Sequence, residues 1–171
     1  MPNKILIPAD ASPLTWRSSG GSAALTLTSL ANNAAREGAK LDLGTPRARL
    51  WCATFEFDLA VAAAVGAVAE LFMSYSNSAT PGTENDGISV TGADAAWAPA
   101  AGVDDCKHQL NFIGAVVCSD SAAGTRFRQS FLFVAHKRYA VPVVVNKTGQ
   151  AFGSTAGNHV VTLTRLEDEV Q

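Results

Sequence analysis

The stretch from Leu50 to Leu59 constrains this chain more than any other. Trp51, Ala53, Phe55, Phe57 and Leu59 alternate with Cys52, Thr54, Glu56 and Asp58. A strand turns successive side chains to opposite faces, so this spacing gives one apolar and one polar face, the pattern of a strand buried on one side only. A helix would scatter the same apolar set around its circumference. Arg126 to Ala135 repeats the pattern, with Phe127, Phe131, Phe133 and Ala135 facing one way and Arg126, Arg128 and Ser130 the other. Leu132 and Val134 make its far end apolar on both sides, so that end is expected to be covered.

Further strands are expected at 23–28, 39–43, 70–76, 110–118, 140–146 and 159–165, all rich in β-branched or aromatic residues. Turn chemistry separates them: Arg17-Ser18-Ser19-Gly20-Gly21, Asn77 to Gly82, Asn85-Asp86-Gly87 and Lys147-Thr148-Gly149. About eight strands at this spacing predict an all-β, antiparallel β-sandwich with long loops and at most short helices. Pro142 has no N–H for a ladder, which places its strand at a sheet edge or at an irregular position. Leu30 to Gly38 and Ala60 to Ala69 would each tolerate a helical turn. Thr91 to Trp97 also reads as helical, with Thr91 as cap and Asp94 near the amino end, where a carboxylate gains about 0.3–1 kcal/mol. The weakly patterned residues Asn77 to Gln109 read as one long excursion.

At 171 residues the chain fits one domain, which we divide into an amino-terminal arm over 1–22 and a single sandwich over 23–171. With 47% hydrophobic and 16% charged residues it is too apolar and too weakly charged for a disordered chain. A net charge of -2, with both signs interspersed, gives no footprint for nucleic acid or an anionic membrane. The alanine-rich run Ala60 to Ala69 is about half the length of a membrane span. Met1 to Pro8 lacks the features of a secretory signal, so synthesis in the cytoplasm is expected. Cys52, Cys106 and Cys118 form no Cys-x-x-Cys pair and are expected to be buried or incidental thiols.

Candidate chemistry is sparse, and neither a catalytic centre, a metal site nor a cofactor is expected. Asp104-Asp105-Cys106-Lys107-His108 holds a nucleophile and a base, but neighbouring side chains point apart and no nucleophile motif surrounds them. His136 lies in a basic turn and His159 opens a strand, both structural readings. Glu84-Asn85-Asp86-Gly87 does not match a calcium loop and reads as a polar turn. Glu56 and Asp58 share one strand face about 7 Å apart, which fits a solvated face better than a glycosidase pair. Asn146-Lys147-Thr148 is a chance glycosylation sequon. Trp51 falls in the core by its phase, whereas Trp16 and Trp97 lie in loop-like regions and are candidate partner anchors or, if they share one face, a carbohydrate platform. Ile5, Leu6 and Ile7, bounded by prolines, mark an arm that could order against a neighbour.

Gly38 to Gly44, the loop Thr83 to Gly87 running into Gly92 to Ala96, Gln109 to Gly114 and the late strand His159 to Thr164 resemble small virion structural proteins of tailed bacteriophages. The resemblance implies a jelly-roll-like sandwich of the decoration or cement kind. Such a protein sits on the capsid exterior, binds the major capsid protein or another virion protein, and acts as a dimer or trimer. It implies no active-site residues. A head-fibre, tail or adaptor component is the alternative within the virion.

Overall fold

A computed structural model gives the fold and describes residues 4–8, 12–44, 50–118 and 122–170. Among them are twelve strands: β1 (Lys4–Pro8), β2 (Leu14–Arg17), β3 (Ala23–Ala24), β4 (Ala35–Glu37), β5 (Leu41–Asp42), β6 (Leu50–Asp58), β7 (Val68–Ser76), β8 (Ala95–Ala96), β9 (Asn111–Val117), β10 (Arg126–Val134), β11 (Tyr139–Lys147) and β12 (Val160–Val170). One helical turn, α1 (Val103–Cys106), runs into a 3-10 turn over Lys107–Gln109.

Sheet one has the order β10-β6-β12-β2-β3, and sheet two the order β8-β4-β11-β7-β9. Their long pairings are nested. Taking β2, β4, β6, β7, β9, β10, β11 and β12 in chain order, the first pairs with the last, β4 with β11, β6 with β10, and β7 with β9, all antiparallel. A chain folded into nested hairpin pairs and rolled into two sheets is a jelly roll, as the expected sandwich required.

The alternation in β6 holds along its length. Trp51, Ala53, Phe55 and Phe57 are fully buried between the sheets, facing Phe127 across β10 and Val161 and Leu163 across β12. Each large apolar side chain buried in this way contributes about 1.5–3 kcal/mol.

The central strand of sheet two, β11, is covered on both faces. Ala140 and Val144 of β11 point into the inter-sheet core, while Val141, Val143 and Val145 point outward into a second cluster with Phe72, Val90, Trp97, Cys106 and Leu110. The excursion after β7 therefore folds back as a lid, which explains a strand apolar at nearly every position. Pro142 lies in this central strand rather than at an edge. Its neighbour is interrupted there, however, with β5 pairing at 139–140 and β4 at 143–145, and Gly38 N–H donates to the Pro142 carbonyl across the gap. The missing N–H thus falls at an irregular position.

Four expectations need correction. Leu14–Arg17, assigned to the arm, is a strand of sheet one whose Trp16 is fully buried, and β1, also inside the arm, pairs with β12 in the same sheet. Thr91 to Trp97 is not helical, because Thr91 and Asp94 bind side chains far away in sequence, as detailed below. Residues 30–38 and 60–69 hold β4 and the start of β7 and no helical turn. The only α-helical turn among the described residues is α1, inside the excursion.

Candidate functional site

The lid over sheet two is held by buried polar anchors. Glu37, fully buried in β4, accepts hydrogen bonds from the Thr91 N–H (2.8 Å), the Thr91 hydroxyl (2.7 Å) and the Gly92 N–H (3.1 Å). Asp94 accepts from the Thr26 N–H and hydroxyl and from Arg36 Nε at 2.6 Å. Burial alone would raise the Asp94 carboxyl, yet these donors hold it below the usual carboxylate range. Lys40 donates to the Ser76 hydroxyl and to the carbonyls of Ser78, Thr80 and Thr83, so its ammonium fills the 76–83 turn as a bound cation would.

These contacts account for most of the residues singled out from the sequence. Trp97 is 1% exposed and donates its indole N–H to the Ile88 carbonyl; Trp16 is 0% exposed and donates to the Ala39 carbonyl. Neither is an exposed anchor, and they form no stacking platform. In both, the ring's single polar atom finds a partner inside, which lets a large amphipathic side chain enter the core. Ile5, Leu6 and Ile7 lie in β1, whose backbone pairs with β12 of the same chain opposite Glu169, Asp168 and Glu167.

The candidate chemical groups are dispersed or occupied. Cys106 is turned into the second core while His108 is exposed, so the two do not meet. Glu56 pairs with Arg126 and Arg128, and Asp58 accepts from the Asn158 amide at 2.6 Å. Asp86 pairs with Lys137 at 2.6 Å. Asn146 is fully buried, donating to the Leu30 and Gln150 carbonyls and accepting from Thr148, which makes the sequon a structural turn. Buried His159 hydrogen-bonds the Gly153 carbonyl at 2.9 Å and stacks on Phe152, and its burial pushes the imidazole below its ordinary pKa. No group of three or more His, Cys, Asp or Glu that could hold a metal ion is found among the described residues, and no helix among them is long and apolar enough to cross a membrane.

What remains is a surface. The outer face of sheet one is polar over most of its width, with Ser130, Thr54, Thr162 and Thr15 in one register row. At the Val134 end the character changes. Leu132 is 64% and Val134 51% exposed, and Phe112 of β9, 58% exposed, lies beside them. β10 and β9 are the free edges of the two sheets. A groove of about 290 Å³ opens along their seam, lined by Tyr75, Phe112, Ile113, Leu132, Val134 and His136 among others. Tyr75 and His136 meet edge-on at its end, and Phe112 is propped on buried Phe72 at 5.3 Å. The expectation that this end of β10 is covered is not met among the described residues. The sequence signal, apolar residues on both faces of a strand, was visible, but its meaning as an open surface was not.

No family model and no curated protein matches the chain. Two crystal structures of murine APRIL, at pH 5.0 and pH 8.0, are similar over 75% of this chain and 73% and 70% of theirs. Sequence identities are 7% and 6% and TM-scores 0.38 and 0.39, a level that carries no argument about this chain.

Proposed function

We propose that this chain is a phage virion structural protein of the decoration or cement kind, which docks on the capsid lattice and stabilises it. The observation that carries the reading is the bare apolar end of β10. Leu132, Val134 and Phe112 stand exposed on adjoining free sheet edges beside a preformed groove. Apolar side chains gathered at unpaired edges mark a surface completed by another protein. The resemblance to small virion proteins supplies the partner, a capsid subunit.

Binding assembled but not dissociated subunits stabilises the particle by mass action, and copies joined by symmetry add avidity. Burying each of the three side chains adds on the order of 1–2 kcal/mol. The burial of Trp16 and Trp97 removes the basis for a carbohydrate-binding reading.

The test is a pair of charge insertions. Leu132→Asp should abolish co-sedimentation with capsids assembled without this chain. Val65→Asp, which alters a 71% exposed residue in the loop beyond the other end of β6, should not. Both should melt like the parent. Equal pelleting of both variants would exclude the seam as the docking surface.

A further inference from the structure

Each described basic side chain except one has a partner. Arg36, Lys107, Arg126, Arg128, Lys137, Arg138 and Lys147 face carboxylates, Lys40 faces carbonyls, and Arg165 lies over the Trp51 ring. The exception is Arg17. Its guanidinium meets no acceptor among the described residues, although its Nε is closed off from solvent. A buried, charged donor left without an acceptor is costly.

The chain around Arg17 is built in an unusual way. β2 and β3 pair in parallel, Trp16 with Ala23 and Arg17 with Ala24, although only Ser18 to Ser22 connect them. Parallel neighbours ordinarily need a crossover of a dozen residues or more. Here the connection doubles back through Gly20, at φ +70°, and Gly21, where a Cβ would lie 2.7 Å from Arg17 Cγ and 2.9 Å from the Thr15 carbonyl oxygen. Gly21 thus presses on the stem of Arg17. Ser22 is used internally, its N–H donating to the Thr15 carbonyl. The N–H groups of Ser18, Ser19, Gly20 and Gly21 and the hydroxyls of Ser18 and Ser19 find no acceptor among the described residues. Arg17 and this loop line an open surface pocket of about 190 Å³.

We infer that the Arg17–Gly21 loop is an oxyanion-binding site. A guanidinium fork beside successive free backbone N–H groups and two hydroxyls is an arrangement of donors without acceptors, which selects an anion with several oxygens. A phosphate group and a carboxylate share that chemistry. The site is independent of the seam proposed for capsid docking and does not rest on it.

Titration of the ¹⁵N-labelled full chain at constant ionic strength tests this, with inorganic phosphate in one arm and acetate in the other. The expected result is a saturable shift of the Arg17 Nε–H and the Ser18 to Gly21 amides, with a midpoint on the order of 1–10 mM in at least one arm. Arg17→Gln should weaken it about tenfold or more, and Arg17→Lys, which keeps charge but not the fork, should fall between. The arm with the tighter midpoint identifies the oxyanion. Shifts that do not saturate in either arm, or that persist unchanged in a folded Arg17→Gln protein, would overturn the inference.

Discussion

Gly114 on the β9 edge lies directly against the ring of Phe131 on the β10 edge, so that a Cβ at position 114 would clash with the ring's Cδ1 and Cε1. The close approach of the two free edges, and so the seam between them, depends on a residue without a side chain. Gly114→Ala should therefore destabilise the protein by about 1–3 kcal/mol through overpacking. Phe131→Leu in the same chain should recover part of that loss. A double-mutant cycle by urea unfolding checks it, and additive effects would deny the contact.

The Glu37 carboxylate organises the lid from inside sheet two. Glu37→Ala leaves the Thr91 and Gly92 donors unpaired in a buried place and should cost about 3 kcal/mol. Because the anchor is local, amide exchange should accelerate around 85–97 more than in β6 or β12. Uniform acceleration across both sheets would mean that the lid has no separate anchor.

Stability should fall on acidification in two stages. Burial lowers the folded pKa of His159 from 6.5, with the Gly153 hydrogen bond and Asp58 opposing it in part. The unfolded chain then binds the proton more readily, so stability is lost as pH falls below about 6.5 and levels off below the folded value. Asp42, held down mainly by its hydrogen bond from Arg138, and Asp94 are lowered acids, whose contribution disappears only further down, below about pH 4. Denaturation midpoints from pH 8 to pH 3 should resolve both. His159→Gln should flatten the upper stage alone, and an unchanged upper slope in that variant would assign it to another group.

The parts of the fold legible in the sequence are those whose cause is local. β6 and β10 follow from alternation, and the turns from Gly, Asn and Pro. Trp16 looked like a loop residue because β2 is only four residues long and sits between Pro13 and a Ser-Gly run. Thr91 and Asp94 carry helix-cap chemistry, but they spend it on Glu37, Thr26 and Arg36, 54 to 68 positions away. Nothing in a linear pattern distinguishes those uses. The seam is half legible: Leu132 and Val134 break the alternation visibly, and only the assembled edges show that they stand exposed there.

The proposal that this sandwich reinforces a capsid through its β9–β10 seam is open to a direct sedimentation test. Purified protein is mixed with capsids assembled without it, the particles are pelleted, and stoichiometry and heat resistance are measured. Saturable binding at a fixed ratio to capsid subunits and a raised particle disruption temperature are expected, both lost with Leu132→Asp. Failure to bind intact capsids, or binding that leaves their heat resistance unchanged, would contradict it.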